Sequence, residues 1–218
     1  MEWLGQLAGL VLHLDQHLFE FARDYGAWIY GLLFVIVFCE TGLVFTPFLP
    51  GDSLLFVAGT LAATGAVDIH LLVVLLIVAA VLGDSLNFSI GRWLGPRVFR
   101  AQDSWFLNRK HLERASAFYE RHGGKTIIIA RFVPIVRTYA PFVAGVGAMD
   151  YRRFVLFNVG GAVLWVLLLG YGGFLFGNIP VVRNNITKVI LGIIVLSLVP
   201  VVVEYLRARR ESVESRRE

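Results

Sequence analysis

Two arginines stand six residues apart inside an apolar stretch, Arg131-Phe132-Val133-Pro134-Ile135-Val136-Arg137. Thr126 to Met149 is otherwise almost free of charge and long enough to cross a bilayer. Each ionised side chain at membrane depth costs about 2.5–3.5 kcal/mol on insertion scales. Pro134 and Pro141 add a second burden, because each breaks the helical hydrogen-bond ladder and frees backbone carbonyls. A segment carrying both burdens cannot be a plain spanning helix. Buried guanidinium groups of this kind are suited to holding an anion inside the membrane.

The rest of the chain agrees with a membrane setting. It has 218 residues, 57% of them hydrophobic, and a mean hydropathy of +0.70. That much apolar surface points to a single all-α polytopic membrane domain spanning 1–218 and away from a soluble fold. The net charge of +4 falls in clusters beside apolar runs, so it reads as membrane-flank charge and not as a nucleic-acid surface. Cys39 lies alone in an apolar run and reads as a small buried residue. The opening Met1-Glu2-Trp3-Leu4 lacks a basic n-region, which argues against a cleaved signal peptide.

Hydrophobic periodicity divides the chain. Residues 1–24 read as an amphipathic surface helix, with Trp3, Leu7, Leu10, Leu14, Leu18 and Phe21 on one face. Ala27 to Phe45 is apolar except for Glu40, and Pro47, Pro50 and Gly51 then break it just before Asp52. Ser53 to Val67 is short and apolar, and Ile69 to Leu94 is a full span containing Asp84 and Asn87. Residues 96–124 form a basic loop with a second amphipathic helix. After the arginine segment come apolar spans over Phe154 to Gly177 and 186–206, then a charged tail over 207–218.

An internal repeat organises these pieces. Phe56-Val57-Ala58-Gly59 returns as Phe142-Val143-Ala144-Gly145, and Gly65-Ala66-Val67-Asp68 as Gly147-Ala148-Met149-Asp150. Counting on from each aspartate, Gly91 and Gly95 fall on Gly173 and Gly177, spacings that suit close helix packing. The repeats run over 26–95 and 125–178. Residues 92–125 hold eight basic and three acidic side chains, and Arg207, Arg209 and Arg210 follow the last span. Both regions should be cytoplasmic, so the three apolar segments between them must include one that enters and leaves on the same side. The arginine segment is that re-entrant hairpin. The repeat predicts a second hairpin around Pro47–Gly51, entering from the opposite face, which makes an inverted-topology repeat with a site near the midplane. Ala27 to Phe45 either crosses fully, placing the N-terminus inside, or forms the long arm of the hairpin, placing it outside.

The candidate site follows. Glu40 and Asp52 lie at the broken point of the first half, Arg131 and Arg137 at that of the second. Meeting tips would set two acids against two bases. The arginines suit a phosphate, for which the guanidinium fork is shaped. The acids would hold them as counter-ions or carry protons. Asp84 and Asn87 share one face of their span and either bond between helices or line the cavity. Asp68 and Asp150 read as helix caps. His13 and His17 have metal-ligand spacing but no third ligand, so neither a metal nor a cofactor is expected. No histidine lies in a broken segment, which weighs against an enzyme acting on lipid phosphates.

Glu40, Pro47, Pro50-Gly51-Asp52, Arg131-Phe132-x-Pro134-x-x-Arg137-Thr138 and Ala144-Gly145 resemble the DedA family of bacterial inner-membrane proteins over about residues 26–178. The resemblance implies two opposed re-entrant hairpins. It implies a transporter of a lipid phosphate such as undecaprenyl phosphate, drawing on the proton motive force. General phospholipid scrambling is the alternative among eukaryotic relatives. The family's important acids and arginines fall on Glu40, Asp52, Arg131 and Arg137. The partners implied are lipid phosphate, membrane lipids and protons.

Overall fold

The structure, a computed structural model, describes residues 25–43, 51–98, 124–180 and Gly192. Every element among them is helical. In chain order these are α1 (Trp28–Gly42), α2 (Gly51–Ala63), α3 (Ile69–Val98), α4 (Lys125–Ala130), α5 (Pro134–Val146), α6 (Tyr151–Val166) and α7 (Gly172–Gly177). A π-helical turn, Leu167–Tyr171, joins α6 to α7, so Tyr151–Gly177 runs on as one element. The expected surface helix over 1–24, Pro47 and Pro50, the amphipathic helix of the basic loop, the span over 186–206 and the tail lie outside the described residues.

Among the described residues two elements are long and apolar enough to cross a membrane, Ile69–Gly95 and Tyr151–Gly177, each of 27 residues. Their outward faces carry large apolar side chains, among them Val74, Val78 and Leu82 on α3 and Leu156, Leu164 and Leu168 on the second span. Water would not tolerate such continuous stripes, and hydrocarbon does. Inside, Ile29, Leu33 and Val37 recur every four residues on α1 and are wholly buried in the largest core cluster. In lipid such packing replaces the hydrophobic effect as the source of cohesion.

Local chemistry sets the ends of the elements. Asp68 Oδ1 accepts from Leu71 N at 2.7 Å and opens α3. Asp150 Oδ1 accepts from Arg153 N at 3.0 Å and opens α6. Both are N-caps at equivalent places in the repeat. The arginine segment is interrupted over residues 131–133. Pro134 pushes Val133 into extended geometry (φ −114°, ψ 107°), which ends α4, and then serves as the first residue of α5. Gly51 likewise begins α2. Pro141, expected to be a break, is not one: α5 runs straight through it. It has no N–H to give the Arg137 carbonyl, and the adjacent Thr138 carbonyl accepts from Asn87 Nδ2 of the neighbouring helix at 2.8 Å.

The repeat is visible in the contacts. A Cβ at Gly91 would overlap the Phe142 carbonyl, and one at Gly173 the Phe56 carbonyl. Gly145 lies equally close to the Phe88 carbonyl, and Gly59 to that of Gly170. Gly95 meets Val146, and Gly177 meets Thr60. Each contact has its counterpart one repeat away, and at Gly59, Gly91, Gly145 and Gly173 a side chain would run into backbone. The short arm of one half thus rests on the span of the other: α5 on α3, and α2 on the π turn and α7.

These pairs also fix direction. Residues 87, 91 and 95 meet 138, 142 and 146, so α5 runs parallel to α3. Phe56 and Thr60 meet Gly173 and Gly177, so α2 runs parallel to α7. The spans are antiparallel, since Asn158 bonds Val81 while Tyr171 bonds His70. Tyr30 bonds the start of α3 and Thr41 meets Asn87 further along it, so α1 follows α3. Gly124 lies on Phe157 and Ile128 beside Gly161, so α4 follows α6. Within each half, therefore, the two elements flanking the break run in opposite directions.

A buried ionic seam between the two halves

Where the broken points converge, five charged side chains meet. Arg137, on the first turn of α5, is held by two carboxylates. Its Nη2 donates to Glu40 Oε1, and its Nη1 donates to Asp52 Oδ1 at 2.6 Å. Glu40 is at the end of α1 and Asp52 at the start of α2, so this clamp ties the two halves together. Gly51 N donates to the same Glu40 oxygen at 3.1 Å. A Cβ at Gly51 would fall on the carboxylate, which is why a glycine sits there.

Arg131 departs from the expectation that both arginines face Glu40 and Asp52. It follows α4 and turns toward the long spans, where it donates to Asp84 Oδ2 on α3 and, at 2.5 Å, to Asn158 Oδ1 on α6. The reason lies in the packing directions. The end of α4 is set against α6 beside Gly161, whereas Arg137 is one turn into α5 and points at the α1–α2 junction. Asp84 is thus an ionic partner, and it also lines the small cavity between the two arginines with Glu40, Thr41 and Thr138. Asn87 makes the other kind of contact expected: its Nδ2 bridges the carbonyls of Thr41 (3.1 Å) and Thr138 (2.8 Å).

Trp165 connects the two clamps. Its indole Nε1 donates to Asp52 Oδ1 at 2.9 Å, and the guanidinium carbons of Arg137 and Arg131 lie 5.1 and 5.7 Å from its ring centroid. Both are within cation–π range. Neither Trp165 nor Asn158 was picked out by sequence reasoning, which took their span as plain. Both are wholly buried, like Gly161 and Ala162 between them. Asn158, Gly161 and Trp165 recur at helical spacing, and that stripe was the available signal.

The cavity is about 10 Å³, room for one water and too small for a phosphate. The space between the arginines is filled by the protein's own acids. Isolated, each charge would be very costly here, and removing one partner of such a pair typically destabilises by about 3–5 kcal/mol. What the seam offers chemically is two forked cations behind exchangeable carboxylate counter-ions. Among the described residues, Glu40 Oε2 and Asn87 Oδ1 are buried acceptors with no hydrogen-bond donor.

Fold and seam together define a helical membrane protein of two related halves joined through buried charge. A protein-family comparison matches residues 49–175 to the VTT domain. The chain is 54% identical to Protein DedA of Escherichia coli (strain K12) over 212 residues, covering 96% of this chain and 97% of that protein. It is 44% identical to an uncharacterized membrane protein of Mycobacterium leprae (strain TN), covering 78% and 76% of the two chains. With the inner membrane protein YqjA of E. coli (strain K12) it shares 41% identity over 70% of each chain. The chain belongs to the DedA family of VTT-domain membrane proteins, and it is an inner-membrane protein. No solved structure matches it.

Proposed function

We propose that this protein moves the phosphate head of a lipid, with undecaprenyl phosphate as the first candidate, across the cytoplasmic membrane. The observation that carries the reading is the seam: a buried and a largely buried arginine, held by one and by two acids from other elements, at the meeting point of two broken segments. The antiparallel members of each broken pair are taken as re-entrant hairpins entering from opposite faces, and the two halves as an inverted repeat. Such an architecture presents a midplane site alternately to the two sides. The head would replace the carboxylates on the arginines while the tail stays in lipid. Protons taken up by the displaced acids would offset their charge, which couples transport to the proton gradient. The isoprenoid choice comes from the family resemblance; the preference for phosphate comes from the paired guanidinium forks.

The test is lipid-phosphate flipping in proteoliposomes. Arg137→Lys keeps the charge but loses the two-donor fork that now spans Glu40 and Asp52, and a tenfold or greater loss of rate is expected. Arg131→Lys should behave likewise. Wild-type rates in both variants, with protein correctly inserted, would remove the phosphate role of the arginines.

A further inference from the structure

The two arginines are not restrained alike. Among the described residues Arg137 has two carboxylate partners, Glu40 and Asp52, whereas Arg131 has one, Asp84, and its other partner is the neutral amide of Asn158. Adding one proton to either acid at Arg137 leaves a second carboxylate in place. Adding one proton to Asp84 neutralises the one carboxylate bonded to Arg131 among the described residues. We propose that Arg131 is the anion-receiving arginine of the seam and that Asp84 is its single-proton gate.

The charge count supports a proton and an anion entering together. Three acids face two arginines, a formal charge of −1. One proton on Asp84 and one monoanionic phosphate on Arg131 leave that total unchanged, so a dry site is never asked to hold more charge. In the exchange the Arg131–Asp84 ion pair breaks, a proton from water neutralises the Asp84 carboxylate, and the anion's oxygens take the freed guanidinium N–H groups. The groups around Asp84 do not offer an alternative proton gate for Arg131. The end of α1 brings Glu40, which is bonded to Arg137; α5 brings Arg137 itself; α2 brings Asp52, which is bonded to Arg137 and Trp165; and α6 brings Asn158, which does not titrate. Asn158 has a second use here. Its Nδ2 is anchored to the Val81 carbonyl at 3.2 Å, so its oxygen stays in place to orient Arg131 whichever state Asp84 is in.

This inference rests on the phosphate reading above, and the test separates the two. The full-length protein in nanodiscs is titrated with dihexyl phosphate, a diester whose single negative charge is constant from pH 5 to 8, and with dimethyl phosphate, which lacks a tail. Trp fluorescence or calorimetry reads the binding. Wild type should bind dihexyl phosphate about tenfold or more tightly at pH 5.5 than at pH 8. Asp84→Asn should bind at pH 8 as wild type does at pH 5.5, with the pH dependence gone, and adding Arg131→Gln to it should abolish that binding. Glu40→Gln should keep the pH dependence, because Asp52 still holds Arg137. A second variant leaves Asp84 in place: Asn158→Asp gives Arg131 two carboxylates and should shift the rise in affinity to lower pH. Survival of the wild-type pH dependence in Asp84→Asn, or an Asn158→Asp profile unchanged from wild type, overturns the gate. Absence of binding in every form at every pH overturns the gate and the phosphate reading together. Equal affinity for dimethyl phosphate would leave the gate standing and reassign the ligand from a lipid head to a free phosphate ester.

Discussion

At the residue scale the seam is organised by Trp165 as much as by the charges. Its indole N–H is one of the donors that hold Asp52, and its ring lies against both guanidinium groups. Trp165→Phe keeps an aromatic face but removes the donor. A hydrogen bond to a charged group contributes about 1.5–3 kcal/mol. The variant should therefore unfold at lower temperature in detergent, and Trp165→Leu, which loses the ring as well, at a lower temperature still. Equal midpoints for wild type and both variants would mean that the tryptophan only fills space. The charged members of this site were legible in the sequence because ionised residues in apolar segments are conspicuous: Glu40, Asp52, Asp84, Arg131 and Arg137 all stood out. Which acid serves which arginine was not legible. That choice depends on how α4 and α5 diverge after the break, a matter of three-dimensional direction. Trp165 and Asn158 escaped because an aromatic and an amide in an apolar span look like ordinary packing until the arginines are placed beside them.

At the scale of elements, the glycine contacts explain how arms and spans come so close. A leucine at Gly91 must push α5 off α3, and a leucine at Gly173 must push α2 off the second span. Overpacking typically costs about 1–3 kcal/mol, more where backbone is in the way. Gly91→Leu and Gly173→Leu should both lower the amount of folded protein recovered from membranes, while Gly172→Leu, with open space beyond it, should not. Full recovery of both packed-position variants would contradict the close approach. Here the sequence was informative in a particular way. Repeated words such as Phe-Val-Ala-Gly showed that two halves exist, because the same contact demands the same small residue twice. They did not reveal that each arm is seated on the other half's span, since a repeat in sequence is silent about which copy touches which. Pro141 misled for a related reason: α5 continues through it while seated closely on α3, and that packing is not written in the local sequence.

For the whole molecule, the antiparallel spans place the turn before α3 and the turn before α6 at opposite ends. If the basic 92–125 region is cytoplasmic, as its charge bias predicts, the Asp150 turn should lie on the cytoplasmic side and the Asp68 turn on the periplasmic side. In a Cys39→Ala background, Ala66→Cys should react with a membrane-impermeant maleimide added to intact cells. Arg152→Cys should react only in inverted vesicles. Both positions are exposed. Labelling of the two from the same side would refute the arrangement.

The halves match in their contacts but not in their charges. Glu40, Asp52 and Asp84 belong to the first half, Arg131 and Arg137 to the second. A near-symmetric frame therefore carries a polarised filling. The packing does not sort these charges by half: α1, α3 and α5 hold together and carry Glu40, Asp84 and Arg137, whereas α2, α4, α6 and α7 carry Asp52 and Arg131. Were the two packed groups to shift against each other, one side would carry a net −1 and the other none. At about 2.3 kcal/mol per charge for every 100 mV crossed, such a shift would be biased by membrane voltage with no separate sensor.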